Sequence, residues 1–403
     1  MLLSVEEISV HFPRRDHPDT RILGRRWLSS SPKTAKKSQT PNASILQRLS
    51  LTVDKNDFLA ILGPSGSGKT TLLRTIAGLT IPNSGRIVLN GTDITFEPPH
   101  RRDVSLVFQN GGWYDHLTVE QHFEFDGLSR DAVRRSLLQL GLIDAAGQQP
   151  VELSGGQAQR LAIGRALTRN RSVLLLDEPL SQLDQSIRES LRQRLRSIHA
   201  QGHTLVYVTH DQTDAMLLAT KIAVLHRGSI QQMGPPKELF EAPNHRCVAE
   251  MLGQPQMQFF DVHLSLTDRS KLVANAIENA MLNGLSPQNS EPRMQIGIRP
   301  GAWQITELTT PTEKKPGQHR IGFAASFIEE RYMGHQRLLQ FQVPHSAMPT
   351  ILILDHWTNS PSRLMPGTQY EIFAHLVDLH WFDPETGDRI PSVGGQPPSS
   401  NPC

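Results

Sequence analysis

The chain has 403 residues, of which 37% are hydrophobic and 20% charged, and at about 100–200 residues per domain this length predicts two or three domains. The hydrophobic content excludes a disordered chain, and no apolar run approaches the roughly 18 residues of a membrane span. Lys and Arg number 41 against 39 Asp and Glu, so the chain lacks the basic excess typical of nucleic-acid binding, and we expect no nucleic-acid partner.

The cysteine content and the N-terminal residues favour the cytosol. Cys247 and Cys403 are the only cysteines of the sequence, which is too few for a disulfide framework. The first seven residues lack the basic region and the long apolar region of a signal peptide. We therefore expect a protein of a reducing compartment.

Two contrasting segments open the chain. Residues 2–12 alternate loosely between apolar and polar side chains and predict a first strand. Residues 13–44 carry eight basic and two acidic side chains among Ser, Thr and Pro, which predicts a solvated, mobile insertion. The alternative is that this basic insertion contacts anionic lipid or another acidic surface.

Strands and helices alternate from residue 45 to about residue 244, which is typical of an α/β domain. Short apolar runs predict buried parallel strands at residues 58–62, 104–108, 173–177 and 205–209. Helices are predicted between them, at residues 72–78, 158–167 and 187–198. Thr118 followed by Gln121 predicts the capping box of a further helix.

The composition changes beyond about residue 254, where Pro, Gly, Ser and Asn recur between short strand-like runs. These runs lie at residues 295–299, 321–327, 338–343 and 370–376. They predict an all-β module, of the small-barrel type. We therefore expect one domain over residues 1–244 and a β-rich domain over residues 245–403.

A phosphate-binding loop is predicted between the strand at 58–62 and the next helix. It matches the pattern G-x4-G-K-[ST] with Gly63, Pro64, Ser65, Gly66, Ser67, Gly68, Lys69, Thr70 and Thr71. Glycines let successive backbone N–H groups surround phosphate oxygens, and the helix N-terminus adds partial positive charge. Lys69 can reach the β- and γ-phosphates, and Thr70 can offer its hydroxyl to Mg²⁺. The alternative is a glycine-rich turn that binds nothing.

Two carboxylates follow one another at the end of the apolar run 173–177. Asp177 lies at the C-terminal end of a predicted parallel strand, where α/β sheets bind ligands, and can hold Mg²⁺. Glu178 is then placed to orient or deprotonate an attacking water. The alternative is an acidic pair that caps the next helix.

A second anion site is predicted just before the helix at 158–167. It consists of Ser154, Gly155, Gly156 and Gln157. Since the chain already has a phosphate loop, a second site is best explained if two chains pair head-to-tail and each completes the other's nucleotide pocket. The alternative is a plain N-capping turn.

In this order the motifs resemble those of the ATP-binding cassette (ABC) ATPases, and most closely the ATP-binding subunits of maltose-type sugar importers. Residues 63–71 resemble the Walker A loop, 153–157 the signature motif, 174–179 the Walker B strand and 209–212 the switch-histidine region. Residues 296–300 and 381–387 resemble parts of the family's OB-like, TOBE-type regulatory domain. The resemblance implies a P-loop NTPase cassette with a helical subdomain at 109–152, followed by an all-β OB-like domain.

The resemblance also implies roles for single residues, with ATP and Mg²⁺ as cofactors. The implied catalytic residues are Lys69, Glu178 and His210. The implied metal-site residues are Thr70, Gln109 and Asp177. Beyond the phosphate loop, the implied nucleotide contacts are Phe12, Gln109, Ser154, Gly155, Gly156, Gln157 and Asp184. In this scheme Phe12 stacks on adenine, and Asp184 lies at the seam between two copies.

The function implied by the resemblance is ATP hydrolysis that energises the import of sugars or related solutes at the cytoplasmic face of the inner membrane. The implied partners are a second copy or a second cassette subunit, integral-membrane permease subunits and, indirectly, a solute-binding protein. Two alternatives are a non-transport cassette ATPase of repair, translation or gene regulation, and a P-loop kinase. A third, compatible with import, is a regulatory module whose C-terminal domain binds a ligand or an uptake-control protein.

Overall fold

The computed structural model describes residues 1–12, 43–108, 111–181, 183–263, 293–307, 320–333, 336–343, 350–355, 364–375 and 378–390. The chain divides into two compact units, Met1–Pro236 and Lys237–Cys403. The domain boundary expected after residue 244 stays a prediction. Apart from residues 43 and 44, the basic insertion 13–44 lies outside the described residues. No helix in the described ranges is long and apolar enough to cross a membrane.

The described part of the first unit contains ten strands and six α-helices. The strands are β1 (Leu3–Phe12), β2 (Ala43–Val53), β3 (Phe58–Leu62), β4 (Ser84–Leu89), β5 (Thr92–Asp93), β6 (Val104–Val107), β7 (Val173–Asp177), β8 (Thr204–Thr209), β9 (Lys221–His226) and β10 (Ser229–Gly234). The helices are α1 (Lys69–Ile76), α2 (Val119–Phe125), α3 (Arg130–Leu140), α4 (Gly155–Thr168), α5 (Gln185–Ala200) and α6 (Gln212–Leu218). Short 3₁₀ turns occur at Pro99–Arg101, Ile143–Ala145 and Pro150–Glu152.

The strands of the first unit form two sheets that share one core. A six-stranded sheet has the order β10-β9-β3-β8-β7-β6, in which β9 to β6 are parallel and β10 is antiparallel. A four-stranded antiparallel sheet has the order β2-β1-β4-β5. Every residue of β3, β7 and β8 is buried, which confirms three of the four predicted buried strands. The fourth, predicted at residues 104–108, is the edge strand β6, which ends at Val107 and in which Val104 and Leu106 are only partly buried. The carboxyl ends of β3, β7 and β8 therefore meet at one edge of the sheet.

Two helices begin earlier than their apolar pattern predicts. Helix α1 begins at Lys69 instead of residue 72, because Gly68 takes a left-handed conformation at its N-cap. Helix α4 begins at Gly155 instead of residue 158, because the Ser154 side chain caps it. Polar and glycine residues fill both first turns, so hydrophobic spacing alone misses them. The predicted capping box at Thr118 and Gln121 is confirmed at the start of α2.

Residues 111–152 contain a small helical core, formed by α2 and α3 together with Leu161 of α4. A buried ion pair attaches it to α4, with Arg165 Nε 3.0 Å from Asp126 Oδ2. His122, to which sequence reasoning assigned no role, is fully buried beside this pair. Its Nε2 accepts a hydrogen bond from the Tyr114 N–H at 2.9 Å, and its Nδ1 lies 2.7 Å from the Thr118 carbonyl oxygen. His122 thus fixes the segment that leads into α2.

The second unit begins with two short helices and continues with strands. The helices are α7 (Pro236–Glu241), whose first residue closes the first unit, and α8 (Arg246–Met251). The strands are β11 (Gln258–His263), β12 (Arg293–Ile298), β13 (Gln304–Glu307), β14 (Arg320–Met333), β15 (Gln336–Gln342), β16 (Thr350–Asp355), β17 (Gln369–His375) and β18 (Leu379–Phe382). A 3₁₀ turn lies at Pro300–Ala302.

The strands of the second unit form two antiparallel sheets among the described residues. One sheet has the order β11-β12-β18 and the other the order β13-β17-β14-β15-β16. Most of their apolar side chains form one core around Trp303, Phe341 and Ile372, and a smaller cluster joins Ala249 and Met257 to Phe382 of β18. The strand-rich composition predicted beyond residue 254 is confirmed, whereas the closed small barrel and its OB-like topology stay predictions.

Candidate functional site

The predicted phosphate loop joins the buried strand β3 to helix α1, as its pattern requires. Gly68 has φ 105°, a conformation that L side chains rarely adopt, and a Cβ there would lie 2.7 Å from a Leu46 methyl carbon. At Gly63 a Cβ would lie 2.3 Å from the Leu225 carbonyl oxygen. Both glycines are therefore required by geometry, and the loop can curl its backbone N–H groups around an anion.

Lys69 extends back along the loop from the first turn of α1. Its side chain is 6% exposed, and Nζ donates hydrogen bonds to the carbonyl oxygens of Gly63 at 2.8 Å and Pro64 at 3.0 Å. Nζ also lies 3.9 Å from Glu178 Oε1. Burial lowers the pKa of Lys69, and the charges of Glu178 and Asp177 oppose this shift. The Lys69 ammonium is thus a cation inside the loop. It is bound to carbonyl oxygens, which phosphate oxygens can replace.

Asp177 and Thr70 meet where β7 ends beside α1. The Thr70 hydroxyl donates a 3.0 Å hydrogen bond to Asp177 Oδ1, and the Asp177 side chain is 5% exposed. Burial raises the pKa of this carboxyl, against the effect of the Thr70 hydrogen bond. A hydroxyl and a carboxylate in contact offer the hard oxygen ligands that Mg²⁺ prefers.

Glu178 has an uncommon backbone conformation, which places its carboxylate near the other two predicted catalytic residues. Its φ of 47° is left-handed, a conformation in which few non-glycine residues are found. Its N–H donates to the Val208 carbonyl at 3.1 Å, and its carbonyl accepts from the Ser181 hydroxyl at 3.0 Å. In this position Glu178 Oε1 lies 3.2 Å from His210 Nδ1 as well as 3.9 Å from Lys69 Nζ. The structure therefore brings the three predicted catalytic side chains together.

The predicted second anion motif forms the N-terminus of α4. The Ser154 hydroxyl accepts from the Gln157 N–H at 3.3 Å, and the Gln157 side chain accepts from the Ser154 N–H at 2.9 Å. A Cβ on Gly156 would lie 2.5 Å from an Ile187 methyl carbon, so close packing against α5 requires glycine here. The plain capping turn named as the alternative is therefore present. Gly155 remains exposed, so its backbone can still contact a ligand.

The family model described as ABC transporter matches residues 46–181, the stretch that contains the phosphate loop, the residues 154–157 and the pair Asp177 and Glu178. The trehalose/maltose import ATP-binding protein of Thermococcus litoralis is 34% identical over 367 residues, which cover 86% of this chain and 95% of that protein. The chain belongs to the ABC transporter family. It is an ATP-hydrolysing subunit of the import type, and its cofactors are ATP and Mg²⁺.

Other relatives of this ABC subunit carry different solutes in their names. The Fe(3+) ions import ATP-binding protein of Agrobacterium fabrum is 36% identical and covers 78% of this chain and 87% of that protein. A xylose/arabinose import ATP-binding protein of Haloferax volcanii is 32% identical and covers 85% and 90% respectively. A solved dimeric ATP-binding cassette with ADP and Pi has 25% identity and a TM-score of 0.47, over 58% of this chain and 99% of its own.

The residues of this ABC subunit fit the two cofactors. The Ser67 hydroxyl oxygen is buried in the loop and has no hydrogen-bond partner among the described residues, as expected for a donor reserved for phosphate. No group of three or more His, Cys, Asp or Glu side chains in the described ranges could hold a metal alone. The residues that would hold Mg²⁺ are Thr70 and Asp177, whose oxygens are in contact at 3.0 Å.

The remaining predicted residues of the subunit are placed only in part. The backbone of Phe12 ends β1, paired with Ala43, but its side chain lies outside the described part of the chain, as does the whole of Gln109. Asp184 is exposed and caps α5 by accepting from the Ile187 N–H at 2.9 Å. Adenine stacking by Phe12, metal binding by Gln109 and the seam position of Asp184 stay predictions.

Sequence reasoning missed two ion pairs behind the site of this subunit. Arg188 Nη1 lies 2.8 Å from Asp211 Oδ2, and Arg192 Nη2 lies 2.5 Å from Asp214 Oδ1. Both arginines are on α5, whereas Asp211 caps α6 directly after His210 and Asp214 lies in the first turn of α6. The sequence does show that the two arginines are spaced by one helical turn. This spacing places them on the same face of α5 but does not indicate which residues they pair with.

We expect Asp177→Asn to raise the free energy of unfolding of the nucleotide-free subunit by about 1 kcal/mol at pH 7. The folded state holds the Asp177 proton more strongly than the unfolded state, so its stability falls as pH rises above 3.8 and stays lower at neutral pH. Asparagine removes this cost and can still accept from Thr70. Urea denaturation at pH 7 and near pH 3 measures the difference, which should vanish at the lower pH. A variant less stable than wild type at pH 7 would contradict the conclusion that the buried Asp177 carboxylate destabilises the folded state. Mg²⁺-dependent hydrolysis should be lost with either result.

Proposed function

We propose that ATP hydrolysis at this site energises the import of a small solute, of which a sugar is the first candidate. The observation that carries the proposal is the convergence of Glu178 Oε1 with His210 Nδ1 at 3.2 Å and with Lys69 Nζ at 3.9 Å. A base, a hydrogen-bonding imidazole and a cation are the side chains that phosphoryl transfer to water requires. A glycine-rich turn that binds nothing would have no use for this set.

Each side chain takes a separate part in the reaction. Lys69 leaves its carbonyl partners and neutralises charge on the β- and γ-phosphates of ATP. Mg²⁺, held by Thr70 and Asp177, would supply further positive charge there. Glu178 accepts a proton from the attacking water, and its left-handed backbone holds the carboxylate at that place. His210 contacts the γ-phosphate from the end of β8. Catalysis is then mostly positioning and electrostatics.

Two copies of the chain complete the site in this proposal. The signature residues 154–157 form a capped helix N-terminus, whose N–H groups favour an anion. We infer that they bind the γ-phosphate held by the partner's loop, so ATP favours the closed pair and hydrolysis releases it. A second cassette subunit could replace the second copy. The cycle would act on integral-membrane permease subunits at the cytoplasmic face of the membrane, with a solute-binding protein as an indirect partner.

The sugar assignment is supported by the names of two relatives, which import trehalose/maltose and xylose/arabinose. Their matches cover 86% and 85% of this chain, including residues beyond the cassette. Relatives named for Fe(3+) ions and for spermidine/putrescine give the competing solute classes.

An uptake experiment tests the proposal and separates these classes. Cells that lack the chain should lose energy-dependent uptake of one labelled solute among a disaccharide, a pentose, Fe³⁺ and spermidine. Wild-type chain should restore that uptake, whereas the Glu178→Gln variant, expressed at the same level, should not. Loss of a sugar supports the sugar assignment, and loss of iron or polyamine uptake replaces it. Unchanged uptake of all four solutes would favour a non-transport cassette ATPase.

A further inference from the structure

Two helices of the first unit are capped close to the proposed catalytic site. Asp184 caps α5, and its carboxylate accepts from the Ile187 N–H and the Ser186 hydroxyl. Asp211, the residue directly after His210, caps α6. Whatever fixes α6 against α5 therefore also fixes the short turn on which His210 lies.

Asp211 uses both of its carboxylate oxygens to organise this turn. Oδ1 accepts from the N–H groups of Thr213 at 2.7 Å and Asp214 at 3.3 Å, which caps α6. Oδ2 accepts from Arg188 Nη1 at 2.8 Å. The Asp211 N–H in turn donates to the Thr209 hydroxyl at 2.9 Å, so the residues on both sides of His210 are held. The His210 side chain is about half exposed, and its Nδ1 lies 3.2 Å from Glu178 Oε1.

A second, buried layer fastens the same two helices one turn deeper. Arg192 is 4% exposed and Asp214 is 2% exposed, and Arg192 Nε donates to Asp214 Oδ1 at 2.7 Å. The Tyr207 hydroxyl of β8 donates to Asp214 Oδ2 at 3.0 Å. Burial raises the pKa of Tyr207 well above its usual range, so the phenol stays a donor. This layer sets the spacing of α5 and α6 and leaves Arg188 within reach of Asp211.

We propose that Arg188 is a positioning residue for ATP hydrolysis, which acts through Asp211 on the orientation of His210. The proposal rests on the proposed role of His210 in contacting the γ-phosphate. Arg188 is 21% exposed and touches neither the phosphate loop nor Glu178 by hydrogen bond or ion pair among the described contacts. Its charge therefore reaches the reaction through the His210 turn.

The test uses two substitutions that leave the fold and the helix cap intact. Arg188→Gln removes the cation, and Asp211→Asn removes the anionic oxygen but keeps an acceptor for the cap, since Asn is as good an N-cap as Asp. A catalytic group misplaced by 1 Å can lower the rate by about 10²-fold. The variants remove one contact of the His210 turn and keep the helix cap, so we expect a smaller loss. We expect each variant to lower kcat for ATP hydrolysis about tenfold, with the KM for ATP and the nucleotide Kd unchanged within about twofold.

The double variant supplies a readout that a merely structural role would not move. Arg188→Gln with Asp211→Asn should lose no more activity than either single variant, because both remove the same interaction. Arg196→Gln is the matched control: it is an exposed arginine of the same helix whose side chain has no hydrogen-bond or ion-pair partner among the described residues. Its kcat should equal that of the wild-type protein, and the melting temperatures of all these variants should agree.

Three outcomes overturn the proposal. They are wild-type turnover in Arg188→Gln, simply additive losses in the double variant, and a loss of kcat that only follows a fall in melting temperature. His210→Ala, measured in parallel, separates this proposal from the one on which it rests. If His210→Ala hydrolyses ATP at the wild-type rate, the role of His210 fails; if it is inactive while Arg188→Gln is not, only the positioning role fails.

Discussion

Glu178→Gln is expected to lower kcat for ATP hydrolysis by about 10³-fold while leaving the affinity for ATP within a few fold of wild type. The amide has the shape of the carboxylate but accepts no proton from water at neutral pH. Glu178 does not contribute to the hydrogen bonds that form the phosphate loop, where Lys69 bonds to the carbonyls of Gly63 and Pro64. Single-turnover hydrolysis and equilibrium nucleotide binding measure the two effects separately.

The Glu178→Gln variant should also accumulate as a closed pair of chains with ATP and Mg²⁺. If the signature residues of one copy bind the γ-phosphate held by the other, a phosphate that is not hydrolysed keeps the two copies together. Light scattering with ATP, and with ADP as the comparison, detects the mass change. Glu124→Gln, at an exposed glutamate of α2 whose side chain has no partner within the described contacts, is the control. Wild-type turnover in Glu178→Gln would show that another group activates the water.

Sequence alone could predict the parts of the site that lie in short contiguous motifs. The phosphate loop, the Asp177–Glu178 pair and the Ser154 cap each depend on a local conformation that a few residues determine. The buried strands were equally clear, since β3 and β7 have the predicted bounds. The phosphate loop and the Asp177–Glu178 pair lie close together because of the topology. Strands β3, β8 and β7 are adjacent and parallel, so their carboxyl ends lie at one edge of the sheet.

The parts that sequence could not predict depend on how separate segments of the chain pack against each other. Arg188 and Asp211 are 23 positions apart and lie on different helices, so their pairing follows only from how α5 packs beside α6. The requirement for glycine at position 156 comes from Ile187 of α5 and not from the motif itself. Likewise His122 resembles an ordinary histidine in the sequence and becomes a bridge only when residue 114 folds back over α2. Packing, which no local pattern records, decides all three.

Lys69→Met is expected to weaken ATP binding in the presence of Mg²⁺ by about 10²–10³-fold. The ammonium is the only side-chain cation that the described contacts place inside the phosphate loop, and without it the charge of the β- and γ-phosphates meets only backbone N–H groups. The affinity for ADP should fall less than that for ATP, because ADP has no γ-phosphate and therefore loses only the contact between its β-phosphate and the ammonium. Titration calorimetry with both nucleotides measures this difference.

The folded state should tolerate Lys69→Met, which makes the result interpretable. Burial lowers the pKa of Lys69, so carrying its charge at pH 7 is a cost to the folded protein, and methionine removes that cost. The opposing loss is that the carbonyls of Gly63 and Pro64 lose a donor. The two effects are of similar size, and we expect a change in unfolding free energy within about 1 kcal/mol. Unchanged ATP affinity in a folded Lys69→Met protein would contradict the loop assignment. Because Glu178→Gln keeps affinity and loses turnover, whereas Lys69→Met loses affinity first, the two variants together separate nucleotide binding from bond cleavage in one pocket.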